Sequence, residues 1–474
     1  MSIGKHFILF WGLFFSAGCA STSTFNSYTG QTASVIEDIK ANRSIDPAKQ
    51  FSAQIKSADK ILYLMERGRI AQIQGDYVVS RDSFEAAIRA IKEDDDKAII
   101  SASGSAAQVT AVLVNDNAIP YSGDGYERVM LHHFQAMNYL VLNDIEGAGV
   151  EVRRANAEQE KALRRYQNEI QTTERTARKN KVSSVPPDEV EAAYADLDQF
   201  TGTVKSSFQN ACTFYLSALV YEISGQLNDA YIDYKKALEI FSDNIYLQED
   251  VLRLAQQLKM NDDLSRFKTL YPRLAANDLK KEAGGELVVL FEDDFVPRKE
   301  QVKIPIPVSL QKVVITAAAF PIYNITNMPV FPLVISEGGL AIASSEPVCF
   351  MSALAVKALK EKVAGIVVRQ VIRSTLKAAT AGEARKEFGA LGSFLVSAYN
   401  LVTENADLRS WTTLPANVQV MRVALASGEH DIFFNHAGSG ANVMIKANVQ
   451  ENSIMMIRVI RVGRQLRWVQ LFPG

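Results

Sequence analysis

The chain has 474 residues, room for roughly two to four domains of ~100–200 residues each. Hydrophobic residues make up 47% and charged residues 22%, the balance of ordinary globular protein, and a formal net charge of −2 argues against a polycation built for nucleic acid. Three cysteines, Cys19, Cys212 and Cys349, with no CxxC pair, exclude a disulfide framework and the common zinc and thiol-redox motifs. Cys212 and Cys349 lie in apolar surroundings, which suits inert buried thiols; a Cys212–Cys349 disulfide stays open until geometry decides it.

At the start of the chain, Lys5 precedes an apolar stretch from Phe7 to Phe15, and small residues follow from Ser16. The run is short for a bilayer core of ~30 Å and has the layout of a signal peptide over residues 1–18. Ser16-Ala17-Gly18-Cys19 resembles the lipobox of bacterial lipoproteins, with Ser16 where that motif usually has Leu. The resemblance implies cleavage before Cys19, acylation of Cys19, and a lipid anchor whose strength grows by ~0.8 kcal/mol per buried CH₂. The alternative is ordinary signal cleavage nearby and a soluble secreted protein. Residues 19–34 are rich in Ser, Thr, Gly and Asn and read as a flexible tether. Ala20 and Ser21 carry no Asp retention signal, so the resemblance implies the periplasmic face of the outer membrane.

Residues 35–281 have a helical pattern. Gly68, Ala71, Gly75, Tyr77, Ser80, Phe84 and Ala87 recur at a helix–turn–helix rhythm. The same order returns as Ala136, Tyr139, Asn143, Ile145, Ala148, Val152 and Ala155, and again as Phe214, Ala218, Tyr221, Gly225, Leu227, Ala230, Tyr234 and Ala237. Small residues let paired helices cross closely, aromatics fill the spaces beside them, and Gly75, Gly225 and Asn143 suit turns with positive φ. This pattern resembles the tetratricopeptide repeat, with insertions between the units and no terminal proline. Between the first two units, residues 115–125 have turn chemistry; Arg153 to Arg178 is a charged helical stretch; and Val185-Pro186-Pro187-Asp188 caps a new helix. By analogy with tetratricopeptide grooves, a concave partner-binding face falls on Met65, Arg69, Gln72, His133, Met137, Leu140, Tyr215, Leu219 and Glu222. The competing reading has the C-terminal half of the chain covering that face.

The texture changes near Gly284-Gly285, and residues 282–474 read as a β-rich domain. Strands are expected at Leu287–Phe291, at Val302–Val308 with edge prolines Pro305 and Pro307, and near Val313–Thr316 and Val330–Ser336. Further strands are expected at Val418–Ala424, Asp431–Asn435, Asn442–Val449, Ile454–Val462 and Leu466–Leu471, with a hairpin turn at Arg461-Val462-Gly463-Arg464. Together they suggest a mainly antiparallel sandwich. A helical insertion, about 347–407, carries Lys357, Lys360, Lys362, Arg369, Arg373 and Lys377 between apolar residues, then a second apolar helix over Phe388–Val402. The basic stripe reads as a solvated face, with an anionic lipid or glycan surface as the sharper alternative. Asp407-Leu408-Arg409-Ser410-Trp411 reads as a corner joining helix to strand, or as a binding corner anchored on Trp411.

No GxSxG, P-loop or HExxH motif is present, and adjacent His132-His133 face different sides of a helix, so no catalytic set, metal site or cofactor is expected. Glu292-Asp293-Asp294 reads as a solvated loop, with cation binding as the alternative. Tyr126-Glu127-Arg128, Asn138-Tyr139-Leu140, Gly285-Glu286-Leu287-Val288, Pro297-Arg298-Lys299 and Arg409-Ser410-Trp411 are similar to stretches of a Gram-negative lipoprotein family with tetratricopeptide-like N-terminal halves. That resemblance implies envelope association, with peptidoglycan-associated factors among the partners. The expectation is an α+β lipoprotein, a tetratricopeptide-like helical solenoid followed by the sandwich. It would act as a periplasmic scaffold or adaptor for an envelope protein, or alternatively as an envelope enzyme or glycan binder with its site in the β domain.

Overall fold

The computed structural model describes residues 28–101, 116–202, 204, 206–276, 284–309, 313–325, 329–376 and 405–474. Cys19, the signal segment and the expected helix over Phe388–Val402 lie outside the described residues. The protein is mixed α+β, with helices in the N-terminal half and sheets in the C-terminal half.

The helices are α1 (Tyr28–Lys40), α2 (Lys60–Gln74), α3 (Tyr77–Ser101), α4 (Gly125–Val141), α5 (Ile145–Asn180), α6 (Asp188–Tyr194) and α7 (Asp196–Thr201). They continue as α8 (Ala211–Ile223), α9 (Leu227–Ile240), α10 (Ile245–Gln257), α11 (Asn261–Leu270) and α12 (Pro272–Ala276). α1 begins inside the segment expected to be a tether. Its Thr32, Val35, Ile36 and Ile39 recur at helical spacing and are buried, the apolar ones in a small core with Phe51, Tyr63 and Ile70. α2 packs on α3, α4 on α5 and α8 on α9. At the first crossing a Cβ on Gly68 would stand 2.3 Å from the Phe84 ring, which is why that position takes no side chain. Gly75 (φ +83°), Gly225 (φ +73°) and Asn143 (φ +59°) close the three turns.

The strands are β1 (Gly285–Asp293), β2 (Lys299–Ser309), β3 (Val313–Tyr323), β4 (Leu333–Glu337), β5 (Leu340–Ser344), β6 (Glu346–Cys349), β7 (Asn417–Leu425), β8 (Gly428–His436), β9 (Asn442–Val449), β10 (Ile454–Val462) and β11 (Gln465–Phe472). Helix α13 covers 351–376. A five-stranded sheet runs β11-β10-β1-β7-β6, and it is mixed, because β1 pairs in parallel with β10 and antiparallel with β7. A four-stranded sheet runs β5-β4-β8-β9, and β2 and β3 form a separate hairpin that keeps Pro305 and Pro307 off any central strand.

The unbroken apolar run in β1 has a plain cause: both of its faces are covered. Leu287, Val289 and Phe291 pack with Leu333 and Ile335 of β4 and with Ile432 and Phe434 of β8. Val288 and Leu290 join the large core shared with the helices and α13. The five-stranded sheet is therefore the middle layer, with helices on one side and the four-stranded sheet on the other.

Candidate functional site

The seam between the helical half and the middle sheet holds most of the side chains expected to bind a partner. Met65, Arg69, Gln72, His133, Met137, Leu140, Tyr215, Leu219 and Trp411 are all buried, and the Glu222 side chain is only 6% exposed. The face they form is occupied by the C-terminal half of the same chain, so it is an internal contact and not an open groove.

Three polar clusters make that contact. In the first, Glu292 at the end of β1 accepts from both Arg69 of α2 and Arg458 of β10 (Nε to Oε1, 2.6 Å). Gln72 accepts from both guanidiniums and donates to Asn138 at 2.6 Å. Both Arg69 and Arg458 also lie over the Phe134 ring, at 4.4 and 5.4 Å from its centroid. Burial opposes ionisation of Glu292, but the two guanidiniums hold its carboxyl below the usual range. The Glu292-Asp293-Asp294 sequence is accordingly no solvated loop: Glu292 and Asp293 are buried, and Asp293 pairs with Arg461. His133 sits beside this cluster with neither ring nitrogen bonded among the described residues, and burial drives its pKa down to about 3.

In the second cluster, two helix carboxylates grip the segment around Trp411. Glu66 of α2 accepts from the Thr412 amide (2.7 Å), the Thr412 hydroxyl (2.8 Å) and the Thr413 hydroxyl (2.6 Å). Glu127 of α4 accepts from the Trp411 amide at 2.7 Å and closes a capping box with Asp124. The Trp411 ring then lies edge-on between Phe84 and Phe134, 5.8 Å from each. Arg409 pairs with Asp407 and with Asp59 of the helical half. The corner is thus a docking clasp, and its tryptophan is closed to outside ligands.

In the third cluster Arg422 of β7 reaches Glu222 (3.1 Å), Asp250 (2.8 Å) and Glu286 (2.5 Å), while Arg253 reaches Glu222 and Asp250 from the helical side. The basic stripe of α13 is spent in the same way. Lys360 pairs with Asp198, Lys362 with Asp124, and Arg369 and Arg373 with Asp116. These four side chains are thus held by internal ion pairs, although Lys362 stays 40% exposed; Lys377 lies outside the described residues.

Among the features open to solvent in the described residues, two stand out. One is a cleft of about 180 Å³ at the seam, where Lys299, Lys362, Arg369 and Arg409 meet Asp116, Asp124, Glu169 and Asp407. The other is the outer face and edge of the four-stranded sheet. Phe433 (42% exposed) and Met444 (48%) are cross-strand partners, and Phe433 also pairs across to Ser336. Edge strand β5 adds Leu340, 73% exposed, and Ile342.

Sequence reasoning passed over Glu66 and Glu127. A signal existed for each: Asp124 and Glu127 have capping-box spacing, and Glu66, Arg69 and Gln72 recur every third residue along α2, among apolar neighbours. Among the described residues no group of three or more His, Cys, Asp or Glu side chains is placed to hold a metal ion, and no helix is long and apolar enough to cross a membrane. Comparison with family models, curated proteins and solved structures returns no match, so the placement of side chains carries the functional reading.

Proposed function

We propose that this chain is an envelope lipoprotein, tethered through Cys19, that acts as a protein-interaction scaffold through its four-stranded sheet. The observation that carries this reading is the edge strand β5, which among the described residues pairs with β4 alone; the hydroxyl of Tyr246 donates to the carbonyl of its last residue, Ser344, at 2.6 Å. Leu340-Ala341-Ile342-Ala343-Ser344 is uncharged, lacks proline, and has four of five residues exposed. Sheet edges are normally blunted by charge, proline or a covering element, because their unpaired N–H and C=O groups recruit other strands. Next to this edge, Phe433 and Met444 offer apolar contacts on the outer face. The occupant that fits is an extended segment of an envelope protein, pairing with β5 through its backbone and seating a side chain against Phe433.

A photo-crosslinking residue placed in turn at Leu340, Phe433 and Val185, which is 67% exposed on the helical side, tests this in intact cells. The expected result is one shared protein adduct from 340 and 433 that is absent from 185 and lost in Ile342→Lys. Equal adducts from all three sites, or none from the sheet, would sink the scaffold reading. The anchor has its own test, since Cys19→Ser should leave the membrane fraction.

On the same reading the three helix pairs are tetratricopeptide-like units and the two larger sheets form a sandwich. The likeness to Gram-negative lipoproteins keeps peptidoglycan-associated factors among the partners to look for. A second reading is favoured by the seam cleft, whose four cations and four acids would suit a small zwitterionic or glycan ligand better than an apolar one.

A further inference from the structure

Inside the seam cleft, one cation and one anion are left over by the fold. Arg369 is taken by Asp116 at 3.1 Å, Arg409 by Asp407 at 2.7 Å and by Asp59, and Lys362 by Asp124. Lys299, the first residue of β2, lines the same cleft, and its hydrogen bond among the described residues goes to a backbone carbonyl, that of Arg409, at 3.0 Å. No carboxylate among the described residues stands within ion-pairing distance of it, so an ammonium with three N–H groups has donors to spare. Glu169 of α5 also lines the cleft and makes neither a hydrogen bond nor an ion pair among the described residues. The space between the walls, about 180 Å³, is below the ~300–1,000 Å³ of sites for drug-sized ligands and suits a small group. The cleft also lies where the tether leaves the body. The Tyr28 hydroxyl sits between the Glu66 carboxylate and the Ser410 carbonyl, 2.5 Å from each, and Ser410 follows Arg409 of the cleft wall. Cys19 is nine positions before Tyr28, a reach of about 30 Å at full extension.

We propose that the seam cleft binds the headgroup of a zwitterionic phospholipid, a phosphate diester joined to a primary ammonium. The proposal deepens the cleft reading above and rests on it and on the Cys19 tether, which keeps this side of the body within reach of the bilayer. The phosphate oxygens accept from the spare N–H groups of Lys299, a charge-assisted contact. The headgroup ammonium donates to Glu169. Ile119, apolar and 37% exposed on the same lining, meets the first carbons of the lipid. Two features set the selectivity. The four cations and four acids of the lining cancel, so a purely anionic headgroup gains no net attraction. A quaternary ammonium has no N–H to give Glu169, so it forfeits the hydrogen bond that a primary one makes.

The test titrates the full chain, purified in a non-ionic detergent, with soluble glycerophosphoethanolamine, glycerophosphocholine, glycerophosphoglycerol and free alanine, and reads heat and Tm. Glycerophosphoethanolamine should bind at one site about 10-fold more tightly than the other three and raise Tm. Glu169→Gln should bring the ethanolamine and choline forms to equal affinity, and Lys299→Gln should weaken both about 10-fold. Neither residue is in an ion pair among the described residues, so both variants should melt like wild type without ligand. Binding unchanged in both variants would overturn the proposal, because the probe would then sit elsewhere. Alanine binding as tightly as glycerophosphoethanolamine would overturn the headgroup and leave the cleft reading standing. No binding of any probe would sink both. A photo-crosslinking residue at position 119 in intact cells settles the source of the group. A phospholipid adduct that disappears in Glu169→Gln supports the membrane source, and the absence of any lipid adduct would overturn it.

Discussion

His133→Leu isolates a single proton in the seam. The imidazole is 2% exposed, neither nitrogen has a partner among the described residues, and the neighbouring ring of Phe134 stands edge-on at 5.3 Å. Burial is the main reason its pKa falls to about 3; the Arg458 and Arg69 charges add to the fall, and Glu292 opposes it. An unfolded histidine titrates near pH 6.5, so below that pH the unfolded chain takes up a proton that the folded chain refuses. The sign follows: stability is full above about pH 6.5 and is lost as the pH falls toward about 3, at about 1.4 kcal/mol per pH unit. Between pH 7 and pH 5 this residue alone should remove about 2 kcal/mol from the wild type. Leucine has a similar volume and no nitrogen to desolvate. The variant should therefore match or exceed wild-type stability at pH 7, and its advantage should grow by that amount at pH 5. Urea unfolding followed through tryptophan fluorescence measures it, since Trp411 is fully buried in the adjoining clasp. A wild-type-to-variant difference that stays constant from pH 7 to pH 5 would refute the argument. It would mean that the folded protein protonates His133 as readily as the unfolded chain does.

Two further outcomes are expected. Gly68→Ala should cost about 1–3 kcal/mol, because its Cβ meets the Phe84 ring at the α2–α3 crossing; Phe84→Leu should recover part of that loss, and an undiminished cost in the double variant would count against the crossing. Glu249 has the opposite linkage to His133. Burial, then Asp250 and Glu346, push its carboxyl up to about 7, so the folded state keeps a proton that the unfolded chain gives up, and stability falls as the pH rises from about 4.5 through about 7 and then levels off. Glu249→Gln should melt higher than wild type at pH 8 and no higher at pH 4.5, and a pH-independent difference in Tm would argue for lost packing instead.

Period and turn chemistry made most of the secondary structure legible. The strand runs from Leu287 onward and the turns at Gly75, Asn143 and Gly225 carry their geometry in local residue choice. The parallel pairing of β1 with β10 was not legible, because residues 285–293 and 454–462 are brought together only by tertiary structure. β5 and β6 are short, and β6 contains Pro347, so neither carries an alternating pattern. The purpose of the charged residues was the hardest to read. Arg69, Glu222, Lys362 and Arg409 look like surface or groove residues in one dimension, since a charge shows no partner in sequence. Their partners Glu292, Arg422, Asp124 and Asp59 lie far along the chain. Cys19 and the helix expected over Phe388–Val402 lie outside the described residues.

The place of β1 has a consequence for truncation. Its two neighbours are β7 and β10, and β10 in turn is held by β11, which ends at Phe472. A chain stopped before residue 454 would lack the strand that carries Arg458, leave one whole edge of β1 unpaired, and strip Glu292 of one of its two guanidiniums. The helices could form locally, but the surface they close on would be incomplete. A stop codon late in the coding sequence should therefore be nearly as damaging as an early one, and folding of the helical half must wait for the last strands to arrive.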